Sequence, residues 1–135
     1  METIETVMKI EHCAYQVEDP VSVAAWYVKH LGLRVKRSQP ERPFGHFLAD
    51  DGDAVMLEIY NHPKATLPDY SQMDPLLLHI AFRTDDVAGT RNRLVQAGAV
   101  AVGEIQKNDV GDELAMLRDP WGFAIQLVRR SVDMI

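Results

Sequence analysis

His12-Cys13-Ala14-Tyr15-Gln16-Val17-Glu18-Asp19 and His79-Ile80-Ala81-Phe82-Arg83-Thr84-Asp85-Asp86 decide how this chain of 135 residues folds. Set one above the other, His, Ala and the final Asp coincide, while Tyr/Phe, Gln/Arg and Glu/Asp match in kind. The offset is 67 residues, half the chain. Each copy leads into a helical pattern that ends in glycine, His30-Leu31-Gly32-Leu33 and Gln96-Ala97-Gly98-Ala99. Each half then closes with a turn and a strand. Asp51-Gly52 precedes Leu57-Glu58-Ile59, and Asp119-Pro120-Trp121-Gly122 precedes Ile125-Gln126-Leu127, now 68 residues apart. Three matches in one order, at offsets of 66 to 68 residues, describe two copies of one module.

The elements of a module follow from its residue types. Residues from about Lys9 to Val17 are β-branched and aromatic enough for a strand. Asp19-Pro20 supplies an N-cap and a proline at the first helical position. Val23, Tyr27, Val28 and Leu31 fall on one helical face, and Gly32 suits the left-handed conformation past the end. Strands follow near Leu33–Ser38, Phe44–Ala49 and Ala54–Tyr60. The second copy reads as a strand Leu76–Thr84, a helix Val87–Ala97, and strands near Val100–Ile105, Glu113–Arg118 and Ala124–Arg129. The expected class is α+β: two paired βαβββ modules, at about 7–60 and 76–130, whose sheets curl into a cleft within a single domain over 1–135. Between them, residues 61–75 contain three prolines and no period. A connection of that length often covers a site.

Strand alternation sorts the polar residues. His12, Ala14 and Gln16 share one face, as do His79, Ala81 and Arg83. Met56, Glu58 and Tyr60 share another, as do Ala124, Gln126 and Val128. The opposite faces, with Cys13, Tyr15, Val17, Leu78, Ile80, Phe82, Leu57, Ile59, Ile125 and Leu127, are expected to meet the helices. The pattern thus turns two imidazoles, one carboxylate and one amide inward beside small alanines. Two nitrogen and two oxygen donors at His12, Glu58, His79 and Gln126 suit one open divalent transition-metal site. A closed structural zinc site would want more than the one cysteine present.

Of the remaining histidines, His46 lies in a strand from which it reaches the cleft at one alternating position. His62 falls in an exposed Asn61-His62-Pro63 turn, and His30 sits at a helix C-terminus that favours an imidazole. Cys13 reads as a small buried hydrophobe, and Trp26 and Trp121 as packing residues.

Composition excludes other classes. Apolar residues make up 47% and charged residues 25%, so neither disorder nor a low-complexity array fits. Basic residues number 14 against 20 acidic, a net charge of −6 with no basic stripe, which disfavours nucleic acid as a partner. No apolar run reaches the ~20 residues of a membrane span. Met1-Glu2-Thr3-Ile4-Glu5 lacks the apolar stretch of an export signal, and a single cysteine fits a reducing compartment, so a cytoplasmic protein is expected.

The order and spacing of Ile10-Glu11-His12, Trp26-Tyr27, Leu31-Gly32-Leu33, Leu57-Glu58-Ile59-Tyr60-Asn61, Leu78-His79-Ile80-Ala81, Asp119-Pro120-Trp121-Gly122-Phe123 and Ile125-Gln126-Leu127 resemble the vicinal oxygen chelate superfamily. Its members include glyoxalase I, extradiol dioxygenases, methylmalonyl-CoA epimerase and the fosfomycin and bleomycin resistance proteins. The resemblance implies a paired βαβββ fold, one metal per cleft (nickel, zinc, manganese or ferrous iron), a small-molecule substrate and a homodimer. Its four ligand positions fall on His12, Glu58, His79 and Gln126. The fourth is commonly a glutamate, and an amide cannot act as a general base. Proton transfer then falls to Glu58, with Tyr60, Met56 and Arg83 as substrate-binding candidates. Glutathione-using members carry an arginine where this chain has Gln16. The resulting expectation is a metal-dependent glyoxalase-like lyase or isomerase. The alternatives are a non-catalytic small-molecule binder of the bleomycin-resistance kind and a ferrous dioxygenase on His12, His79 and Glu58.

Overall fold

The computed structural model describes residues 7–135, so the acidic opening Met1–Glu5 lies outside the described residues. The chain divides between Pro68 and Asp69 into two compact units. Unit one runs β1 (His12–Gln16), α1 (Pro20–Leu31), β2 (Arg34–Ser38), β3 (His46–Ala49) and β4 (Met56–Tyr60). Unit two opens with a 3₁₀ turn, Tyr70–Gln72. It continues through β5 (Ile80–Arg83), α2 (Val87–Gln96), β6 (Val100–Lys107), β7 (Glu113–Arg118) and β8 (Ala124–Arg129). Each unit is therefore βαβββ, as the repeat predicts. No helix among the described residues is long and apolar enough to cross a membrane.

Each unit builds one four-stranded mixed sheet, ordered β1-β4-β3-β2 and β5-β8-β7-β6. The first and last strands of a unit run parallel, and the other pairs are antiparallel. Parallel neighbours need a long crossover, which α1 and α2 begin.

The helix ends follow local chemistry. Asp19 accepts from the Ser22 backbone N–H at 3.2 Å, Pro20 fills the first helical position, and Gly32 takes φ 74° past the end of α1. Asp86 plays the same part for α2, accepting from the Gly89 N–H at 2.9 Å. The buried stripe of α1 is Pro20, Val23, Ala24, Trp26 and Tyr27. Val28, expected on that stripe, is 39% exposed, because the footprint centres on Val23 and Tyr27 rather than one residue further round.

The helix-side core of unit one joins Tyr15, Val17, Val23, Tyr27, Leu48 and Ile59; that of unit two joins Val87, Leu94, Leu117, Ile125 and Leu127. Burying each large apolar side chain contributes about 1.5–3 kcal/mol before conformational entropy is subtracted. α1 packs on β2, β3 and β4, and α2 on β6, β7 and β8, so the edge strands β1 and β5 lie towards the margin of each footprint. That placement corrects two expectations. Cys13 is exposed rather than buried. Leu78 is also exposed, and the strand expected from Leu76 begins only at Ile80, because Leu76–Leu78 form a turn in which the Leu77 N–H donates to the Asp74 carbonyl at 2.9 Å.

Asp112 locks the far end of unit two. Its carboxylate accepts from the Ser131 N–H at 2.9 Å, from Asn108 Nδ2 at 3.1 Å and from Arg130 at 3.0 Å. Those hydrogen bonds, the Ser131 amide foremost, hold the Asp112 carboxyl down at about 2. A folded-state value below that of the unfolded chain contributes stability above about pH 4 that is lost as pH falls towards 2. Asp112→Asn is expected to melt below wild type at pH 7. The gap should close across pH 4 to about 2, as followed by circular dichroism.

Candidate functional site

In unit one the parallel register aligns His12 with Met56 and Ala14 with Glu58. From β3, Phe47 pairs with Glu58 on the other side. Glu58 thus stands between a small alanine and an aromatic ring. The His12 and Phe47 rings meet edge to face at 5.5 Å. His12 Nε2 faces Glu58 Oε1 at 3.4 Å, and Glu58 is only 21% exposed. At the other ring nitrogen, His12 Nδ1 meets Glu11 Oε1 at 2.9 Å. With Nδ1–H donating to Glu11, Nε2 keeps its lone pair, the tautomer that metal-binding histidines take.

Unit two repeats this register. Ala81 pairs with Gln126, and His79 lies two residues before Ala81, as His12 lies before Ala14. Met116 of β7 takes the place of Phe47 beside the fourth polar group. His79 Nδ1 donates to the Pro75 carbonyl at 2.8 Å, again leaving Nε2 as the free lone pair. His79 sits just before β5 rather than within it, held by that bond.

The two donors of unit one stand at a spacing that a divalent ion can span. Two ligand atoms each about 2.1 Å from a metal and 3.4 Å apart, as His12 Nε2 and Glu58 Oε1 are, subtend about 110°. Among the described residues no three His, Cys, Asp or Glu side chains gather as one metal-holding group. Unit one offers an imidazole with a carboxylate, and unit two an imidazole with an amide.

Other sequence candidates take different parts. Tyr60 and Met56 are half-buried on β4, Met56 directly beside His12. Arg83 is exposed and pairs with Asp133 at 3.1 Å. His46 does not share the face of Glu58: it pairs with the fully buried Ile59 on the helix side, and its Nδ1 donates to the Phe44 carbonyl at 2.6 Å. His62 is exposed and accepts from the Lys64 N–H at 3.1 Å.

Gln16 is buried, and both ends of its amide are engaged. Nε2 donates to the carbonyls of His62 and Ala65 at 2.9 and 3.2 Å, and Oε1 accepts from the His62 N–H at 2.9 Å. Asn61 donates to the Glu18 carbonyl and accepts from Arg42. The first part of the 61–75 connection is therefore fastened to unit one. The later part is fastened to unit two: Arg118 donates to the carbonyls of Tyr70 and Met73, both at 2.8 Å. Phe47 reaches the face of Glu58 through the unbroken β3–β4 register.

Comparison with known proteins agrees with this architecture. Residues 9–127 match the model of the Glyoxalase/Bleomycin resistance protein/Dioxygenase superfamily. Among solved structures, the chain is similar to TnmS3, an antibiotic binding protein from Streptomyces sp. CB03234 (24% identity, TM-score 0.72, 95% of this chain and 100% of that one). It is similar to a glyoxalase family protein from Bacillus cereus (16% identity, TM-score 0.79, 93% and 96%). It is also similar to a glyoxalase/bleomycin resistance protein from Streptomyces sp. CB03234 (25% identity, TM-score 0.63, 88% and 98%). No curated protein sequence matches.

Gln16→Ala is expected to release the 62–65 turn. Hydrogen exchange at the His62 amide, read by mass spectrometry or NMR, should quicken about tenfold, the equivalent of one lost buried hydrogen bond.

Proposed function

The chain belongs to the Glyoxalase/Bleomycin resistance protein/Dioxygenase superfamily, and from that premise we propose that it is a divalent-metal-dependent lyase or isomerase of the glyoxalase kind. Its substrate in this reading is a small molecule with two adjacent oxygens, and the protein works as a cytoplasmic homodimer. The observation that carries the reading is the facing of His12 Nε2 and Glu58 Oε1, with both repeat-related histidines tethered through Nδ1. His12, Glu58, His79 and Gln126 would hold the ion, one of nickel, zinc, manganese or ferrous iron. When bound, such an ion supplies Lewis acidity towards the substrate's oxygens.

This chain's own residues divide the remaining work. Glu58 moves a proton between neighbouring carbons, since a carboxylate accepts and returns a proton at modest cost. Gln126 cannot take a proton and serves only to bind. Tyr60 and Met56, on the strand that carries Glu58, line the substrate's approach.

A second reading has one observation in its favour. With an amide at 126 and apolar Phe47 and Met116 beside the polar pairs, the same faces suit sequestration of a small molecule without chemistry. The similar TnmS3 is an antibiotic binding protein.

Elemental mass spectrometry of the purified protein separates the two. The enzyme reading expects about one divalent ion per chain, lost in His12→Ala and His79→Ala. Absence of metal after incubation with nickel, zinc, manganese and ferrous iron would leave the binding reading. In the metal-loaded protein, Glu58→Gln is expected to lower turnover of a 2-oxoaldehyde–thiol adduct by about 10²–10⁴-fold.

A further inference from the structure

The Asp119-Pro120-Trp121-Gly122-Phe123 turn between β7 and β8 supplies no donor to the candidate site, yet the chain leading to His79 rests on it. Asp119 closes the turn, its carboxylate accepting from the Trp121 and Phe123 N–H groups, both at 2.9 Å. Residues 70–73 are held against this turn from several directions. Arg118, at the end of β7, donates from Nη1 to the carbonyls of Tyr70 and Gly122 at 2.8 and 3.1 Å, and from Nη2 to that of Met73 at 2.8 Å. The Tyr70 ring meets the buried Phe123 ring edge-on at 5.0 Å. Ser71 lies so close over Gly122 that a Cβ there would stand 3.0 Å from the Ser71 nitrogen and 2.8 Å from its Cβ. Two residues beyond Met73, the Pro75 carbonyl accepts the Nδ1–H of His79 at 2.8 Å. Asp74 closes the stretch between, its carboxylate and carbonyl accepting from the Leu76 and Leu77 N–H groups, each at 2.9 Å. Met73, Asp74 and Pro75 thus connect the Arg118 guanidinium to the imidazole, all within unit two.

We infer that Arg118 is a positioning residue for His79. By fixing the Met73 carbonyl it sets where the Pro75 carbonyl stands, and so keeps the proton of the neutral His79 ring on Nδ1 and the lone pair on Nε2. This inference rests on the reading of His79 as a metal donor given under Proposed function, and adds a residue that the reading does not use. The two histidines differ in what holds them. The acceptor for His12 is the side chain of the adjacent Glu11, whereas that for His79 is a backbone carbonyl four residues back, whose place depends on whatever holds its segment. The planar guanidinium presents its donors as a rigid fork that can hold several carbonyls at once, and a lysine ammonium of the same charge lacks that fork. A metal-binding histidine whose other nitrogen loses its acceptor typically binds about 10–100-fold more weakly.

The test is made on the full chain, ¹⁵N-labelled and metal-free, as wild type, Arg118→Lys and Arg118→Met. Ring signals are assigned by their loss in His12→Ala and His79→Ala. Two-bond ¹H–¹⁵N spectra at about pH 8.5, well above the ordinary imidazole range, report which nitrogen of each ring holds the proton. Wild type is expected to hold the His79 proton on Nδ1. In both variants it should move largely to Nε2 while the His12 signals stay in place, a selectivity that general loosening of the fold would not give. Nickel affinity, read by competition with a chromophoric chelator, is expected to fall by about tenfold or more in Arg118→Lys. A wild-type His79 proton on Nε2 overturns the inference. So does a proton that stays on Nδ1 in both variants, or a nickel affinity of Arg118→Lys within about twofold of wild type. Variants that do not fold, or in which His12 shifts as much as His79, assign Arg118 a structural part and overturn it too. A wild type that takes up none of nickel, zinc, manganese and ferrous iron, with the His79 proton responding as expected, overturns the metal reading and leaves the placement of His79 by Arg118 standing.

Discussion

The parallel pairing of the first and last strands of each unit is the constraint on which the rest of the structure depends. A parallel neighbour cannot be reached by a tight turn, so the chain must leave β1, cross as a helix and return through two further strands before β4 arrives beside it. That excursion makes each unit a closed βαβββ loop of sequence. It also aligns residues more than forty positions apart: Ala14 with Glu58, and Ala81 with Gln126. A slip of one residue in either register would turn Glu58 or Gln126 to the helix side, where the burial of Ile59, Ile125 and Leu127 forbids it. The core and the polar face therefore enforce each other.

Much of this was legible in the chain because strand alternation and capping are local. Asp19-Pro20 and Gly32 mark the bounds of α1 without reference to the rest of the fold, and the His12/His79 and Glu58/Gln126 correspondences are carried by repeat spacing. What escaped the reading was set by tertiary placement. Cys13 alternates correctly with its neighbours, yet it lies at the margin of the helix footprint and is exposed. The Leu76–Leu78 run has strand-like composition, but the turn after Asp74 takes it and leaves Leu76 82% exposed. The long connection has three prolines and no period, and it is side chains distant in sequence, Gln16 and Arg118, that hold its two parts.

The two halves share a backbone plan and differ in their charge. In unit one, His12 lies between two carboxylates, Glu11 and Glu58. In unit two, the matching histidine rests on a backbone carbonyl, and its partner strand presents an amide.

The drift between the copies has a location. Ala14 and Ala81 are 67 positions apart, Phe47 and Met116 are 69, and Glu58 and Gln126 are 68. Length has therefore been gained in the β2–β3 hairpin, which becomes the longer β6–β7, and partly given back in the next connection. The two strands that carry the polar pairs have stayed in step. After an ancestral duplication, hairpin tips absorb insertions because their ends lie in solvent, whereas an insertion within β4 or β8 would flip every later side chain to the wrong face. The difference in length between the two copies thus falls where strand pairing tolerates it.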